Sequence, residues 1–153
     1  MKVVLFKSKG FFQSLIKWQT RSKYSHAAIL TSDGVLIEAT TPGGVRAIAD
    51  WKQTPDAEIF KVEGFGGYWG QRREDENKAI AFLSEQIGKP YDYLMVARFV
   101  SRLQESRRTS GKWFCSELVF AAMQKADITL LRDTEPWEVS PGLLARSPLL
   151  IPL

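Results

Sequence analysis

Hydrophobic and polar positions alternate along the first third of the chain in a way that favours strands. "KVVLFK" (2–7) is a short, wholly apolar run between lysines and reads as a short buried strand. "FFQSLIKWQT" (11–20) instead spaces Phe11, Phe12, Leu15, Ile16 and Gln19 as one face of a short amphipathic helix. "SHAAILT" and "VLIEAT" then read as two strands separated by Ser32-Asp33-Gly34, a hairpin signal. "PGG" at 42–44 marks a turn, and "VRAIA" and "AEIFKVE" are two further strand candidates.

The pattern changes after "GFGGYWG" (64–70), which reads as a glycine-rich loop and fits neither G-x-G-x-x-G nor a phosphate loop. Residues 74 to 87 predict a helix, with acids in its first turn and Ile80, Leu83 and Ile87 on one face; Gly88 and Pro90 end it. "YLMVARFVSRL" predicts another helix and "ESRRTSGK" (105–112) a polar loop. Residues 115 to 126 carry the clearest helical stripe: Cys115, Leu118, Val119, Ala122, Met123 and Ala126. "VSPGLLARSP" precedes a short apolar tail. The expectation is one α+β domain over 1–153, a small antiparallel sheet flanked by helices, with no repeat or linker.

Composition narrows this picture. Hydrophobic residues make up 44% and charged residues 25% of 153 residues, as expected of a globular chain with one core. No apolar run approaches the roughly 20 residues of a spanning helix, and the start lacks the about 7–15 apolar residues of a secretory signal. A cytoplasmic setting is the expectation. The single cysteine excludes an internal disulfide and a multi-cysteine metal site, and cysteine–histidine acyl chemistry, considered below, needs no metal or organic cofactor.

The net charge of +4 is unevenly placed. Lys2, Lys7, Lys9, Lys17, Arg21 and Lys23 precede the first acid, Asp33, and Arg98, Arg102, Arg107, Arg108 and Lys112 form a second cluster. The start, with Phe11, Phe12, Leu15, Ile16 and Trp18 among its lysines, suits an anionic membrane surface. The same apolar residues equally suit closing a core, and the charge balance is ordinary for a solvated surface. Nucleic acid is not a favoured partner, and the sequence assigns no oligomeric state.

Candidate chemistry centres on Cys115. Its place on the apolar stripe is that of a small buried hydrophobe. Its place at the start of the helix argues otherwise, because unpaired N–H groups and the helix dipole favour a thiolate there. His26 is the only histidine, so a cysteine–histidine mechanism has no other base of that kind. Glu38 interrupts an apolar strand, either as an exposed edge carboxylate or as a partner for His26.

Hairpin parity decides between these. A two-residue Asp-Gly turn pairs Ile29 with Glu38 and puts the carboxylate on the face opposite His26. A three-residue Ser-Asp-Gly loop pairs Ala28 with Glu38, making His26 and Glu38 diagonal neighbours about 7–8 Å apart on one face.

Five stretches in this order, "YSHAAIL", "LIEAT", "GKPYDY", "KWFCSELV" and "VSPGLL", resemble the circularly permuted papain-like hydrolases of the NlpC/p60 superfamily, relatives of lecithin:retinol acyltransferase. The resemblance spans about residues 15 to 144, and the order His26, Glu38, Cys115 matches the permuted arrangement. It implies a half-barrel sheet packed on helices and a cysteine peptidase or amidase in which Cys115 is the nucleophile, His26 the base and Glu38 the residue orienting the imidazole. Tyr91 of "GKPYDY" falls on a recurring motif and is taken as lining the substrate pocket. The implied substrate is a peptide, amide or lipid-like acyl compound. The alternatives are a lipid-directed acyltransferase or esterase at a membrane, and a binding module that keeps the fold without turnover.

Overall fold

The structure, a computed structural model, describes residues 1–7, 22–63, 69–93 and 111–153. Its framework is a six-stranded antiparallel sheet of β1 (Lys2–Phe6), β2 (His26–Leu30), β3 (Leu36–Thr40), β4 (Gly44–Ile48), β5 (Ala57–Val62) and β6 (Leu150–Pro152), in the order β4-β3-β2-β1-β5-β6. β1 is central, between β2 and β5, which explains its unbroken apolar run: Val3 and Leu5 enter one core, Val4 and Phe6 the other.

The helices are α1 (Trp69–Gln86), α2 (Cys115–Lys125) and the single turn α3 (Pro141–Leu144), which follows a 3₁₀ turn at Pro136–Glu138. α2 packs on β2, β3 and α1, and Cys115 through Met123 are all buried. Ala126 is buried too, so the whole predicted stripe lies in the core. The architecture is α+β, as expected.

α1 departs from expectation. It begins at Trp69, inside the stretch read as a glycine-rich loop, and its first turn holds no acid. From residue 73 on, its buried residues are Asp75, Ala79, Leu83 and Gln86, while Ile87, just past its end, is 47% exposed. The stripe that faces α2 is therefore rotated from the one predicted. Ala79 allows close helix packing, and Gln86 earns burial by accepting hydrogen bonds from Trp113 Nε1 (3.1 Å) and Lys89 Nζ (2.6 Å). The helix expected at 11–20, all but the first residue of the one at 93–103, residues 64–68 of the glycine-rich run and most of loop 105–112 lie outside the described residues.

Two hairpin decisions position the site. Between β2 and β3, Thr31 N–H donates to Val35 O (2.9 Å) and Gly34 N–H to Thr31 O (3.2 Å), closing a three-residue loop with Gly34 at φ 85°. Glycine takes that left-handed conformation without a Cβ penalty. The register is Ala28 opposite Glu38. Between β3 and β4, the turn at Thr41-Pro42-Gly43 sets Glu38 directly opposite Arg46.

Candidate active site

His26 opens β2, paired across the sheet with Phe6, whose ring lies 5.3 Å from the imidazole. It shares a face with Ala28 and Glu38, the face of the smaller apolar cluster of Val4, Phe6, Ala28, Leu36 and Ala57. The larger core is built on the other parity, from Ala27, Ile29, Ile37 and Ala39. His26 therefore faces the smaller cluster.

Glu38 is not an exposed edge carboxylate. The residue is 6% exposed, and both its oxygens are engaged. Oε2 lies 2.6 Å from His26 Nε2, while Oε1 accepts from Arg46 Nε at 2.9 Å and Arg46 Nη2 at 2.7 Å. Burial works against the carboxylate, but the hydrogen bonds and charges of His26 and Arg46 outweigh it and hold Glu38 below its ordinary range.

Nε2 of His26 is taken by Glu38, and the ring's other hydrogen-bond partner is Cys115. Burial disfavours the imidazolium, yet the hydrogen bond and charge of Cys115, seconded by those of Glu38, raise its pKa to about 10. Cys115 is 1% exposed and is the first residue of α2. Phe114 caps the helix, and its backbone N–H donates to Glu117 Oε2 at 3.2 Å. The structure therefore brings together the three residues singled out in the sequence.

It also brings in Tyr91. The phenol is buried, and its pKa is pushed up first by that burial and then by the charge of Cys115 and a hydrogen bond to it. A protonated Tyr91 hydroxyl thus donates toward the sulfur. Two contacts place this segment. Val45 N–H donates to Lys89 O at 2.9 Å, and residues 90–92 bridge Trp113 through Trp113 N–H to Pro90 O (3.1 Å) and Asp92 N–H to Trp113 O (3.0 Å). Tyr91 is held between the start of β4 and the residues leading into α2.

Arg46 is the site residue that the sequence reading missed. Its signal was a cation in an apolar strand, two residues after a glycine turn, where hairpin pairing sets it against the only acid of β3. Of the basic start, Lys2, Lys7 and Lys23 are described; Lys7 and Lys23 pair with Glu58, which also accepts from the Tyr24 hydroxyl. Among the described residues, no group of three or more His, Cys, Asp or Glu is placed to hold a metal ion, and no helix is long and apolar enough to cross a membrane.

No family model and no curated protein matches the chain. Among solved structures, it is similar to the metalloprotein yiiX from Escherichia coli, with a TM-score of 0.72 at 19% identity, covering 99% of this chain and 94% of that one. At that identity the likeness concerns the fold: this chain has the α+β architecture of that structure over essentially its whole length.

Proposed function

We propose that this protein is a thiol-dependent hydrolase of the amidase or peptidase type, working through Cys115, His26 and Glu38. One observation carries the reading: the only imidazole of the chain has Glu38 at 2.6 Å on one nitrogen and the only thiol, at a helix start, as its other partner. The resemblance to permuted NlpC/p60 hydrolases supports it.

The chemistry follows from the geometry. His26 Nδ1 accepts the thiol proton, while Glu38 receives Nε2–H and so keeps the ring in the required tautomer. The thiolate attacks the carbonyl carbon of an amide or ester. Charge developing on the carbonyl oxygen is met by backbone N–H groups at the start of α2 and by the Tyr91 hydroxyl. The imidazolium returns its proton to the leaving amine or alcohol as the C–N or C–O bond breaks. Water, deprotonated by His26, then cleaves the thioester and restores the thiol. This sequence needs no metal. yiiX is described as a metalloprotein, but both Glu38 oxygens here are taken by His26 and Arg46, so this donor set does not fit a metal.

The substrate is a peptide, amide or other acyl compound, and a reducing cytoplasmic compartment suits a catalytic free thiol. A lipid-directed version of the same chemistry draws on the basic start, but Lys7 and Lys23 are engaged by Glu58. The test is to incubate the protein with activated esters and with peptide amides, following turnover and the mass of Cys115. An acyl adduct on Cys115, with turnover lost in Cys115→Ser and His26→Ala, is expected. Undiminished turnover in a folded Cys115→Ser protein overturns the reading.

A further inference from the structure

We infer that Arg46 is a positioning residue of this site: it holds Glu38 ionised and leaves it one oxygen, aimed at His26. The inference rests on the hydrolase reading above and adds a fourth member to its charge arrangement.

The geometry is specific. Arg46 stands directly opposite Glu38 in the β3–β4 register, and two of its nitrogens, Nε and Nη2, converge on Oε1 at 2.9 and 2.7 Å. A carboxylate gripped in this way cannot rotate freely, so Oε2 stays on His26 Nε2 at 2.6 Å. Arginine suits the task because its donors form a rigid fork, whereas a lysine ammonium is a point charge.

Charge balance supplies the reason. A buried carboxylate tends to take up a proton. A protonated Glu38 would no longer stabilise an imidazolium, and its O–H would compete to donate to the ring instead of accepting from it. The groups facing this carboxylate and its partner ring are His26 from β2, Arg46 from β4 and Cys115 from α2, with Tyr91 facing the sulfur. In the working state the thiolate, imidazolium, carboxylate and guanidinium sum to zero. Without Arg46 they leave one buried negative charge uncompensated. The guanidinium itself is 51% exposed, so it stays charged at little desolvation cost while neutralising a carboxylate that is not exposed. Arg46 acts through Glu38 and not on the reacting atoms.

The test uses the whole chain with Arg46→Gln, which keeps a donor but loses the charge, and Arg46→Lys, which keeps the charge but loses the fork. Carboxyl-carbon NMR gives the acid midpoint of Glu38, and the single histidine makes the imidazole titration free of overlap. Arg46→Gln is expected to raise the Glu38 midpoint by about 1–3 units. The acid limb of kcat/KM should move up with it, with kcat lowered about tenfold or more and KM changed little. Arg46→Lys should recover most of the midpoint shift. If Arg46→Gln does not fold, Arg46→Lys decides against the wild type, since a Glu38 midpoint raised by the full shift of about 1–3 units although the charge is kept sinks the idea. An unchanged midpoint and acid limb in Arg46→Gln overturn the inference while thiol-dependent turnover stands. Turnover that survives Cys115→Ser removes the hydrolase reading, and the NMR midpoint still decides whether Arg46 controls Glu38.

Discussion

Glu38 and Glu58 each have two cationic partners, and they differ in burial. The Glu38 side chain is 7% exposed, between His26 and Arg46; that of Glu58 is 33% exposed, between Lys7 and Lys23 with Tyr24 beside it. The acidity of Glu58 is increased to a pKa of about 2, led by Lys7 and Tyr24. Yet its lysines are solvated, and pairs of that kind contribute about 0–1 kcal/mol. The buried pair gains far more from each contact and loses far more when a contact is removed. Two clusters of similar composition thus differ in setting: one lies on the surface, and the other is buried at the proposed site.

Replacing each carboxylate tests that contrast most severely. Glu38→Gln should lower kcat by about 10²–10⁴-fold by weakening control of His26. Breaking a buried pair costs about 3–5 kcal/mol, and the lower end applies here because Arg46 reaches solvent. Glu58→Gln should change stability by less than about 1 kcal/mol and leave turnover alone. Urea unfolding and steady-state kinetics on both variants check this. Equal effects would dissolve the distinction.

Glycines behind the two hairpins give the next largest effect. A Cβ on Gly44 would stand 2.2 Å from Lys89 O, in the segment that carries Tyr91, whereas a Cβ on Gly34 would meet nothing within 4 Å. Both have positive φ, so alanine at either costs about 1–2 kcal/mol. Gly44→Ala should cost about 1–3 kcal/mol more from overpacking and should also depress kcat by displacing Tyr91. A thermal melt and an activity assay of both variants separate strain from displacement.

Dependence on pH sharpens the comparison further. The raised His26 pKa means its pairing stabilises fully below about pH 6.5 and is lost as pH climbs through about 10. The lowered Glu38 pKa means its contribution is present above its ordinary 4.5 and is lost as pH falls below that. Glu58 contributes in the same sense as Glu38, lost as pH falls toward about 2, but salt should erase much of it. The urea midpoint of the wild type should therefore fall between pH 6.5 and 10, and His26→Gln should flatten that slope. High salt should flatten the acid arm only in the Glu58 part, which Glu58→Gln identifies.

Tyr24→Phe is the mildest probe. Removing a hydrogen bond to an already solvated carboxylate should cost about 0.5–1.5 kcal/mol with no change in turnover. A loss of activity here would tie the Glu58 cluster to the site and collapse the contrast between the two carboxylates.

Much of this molecule was legible in local chemistry. Strand runs, the hairpin at Ser32-Asp33-Gly34 and the stripe from Cys115 to Ala126 follow from dihedral preference and periodicity, which neighbouring residues encode by themselves. The order of His26, Glu38 and Cys115 and their types were visible too. What adjacency does not encode is pairing. The sequence left open two hairpin loops differing by one residue, and the choice of the three-residue loop placed Glu38 on the face of His26. The partner of Glu38 depended on a second register, that of Arg46. The start of α1 at Trp69 and its rotation toward Ala79 and Gln86 answered to packing against α2, which outweighs the weak preference of single residues for helix. Tyr91 reached the sulfur only because Lys89 docks on β4 and Pro90 on Trp113, contacts between segments more than twenty residues apart. The sequence by itself determined which groups were present and which elements carried them; register and packing across the chain decided which of those groups meet, because a contact between distant segments is selected by the whole buried interface.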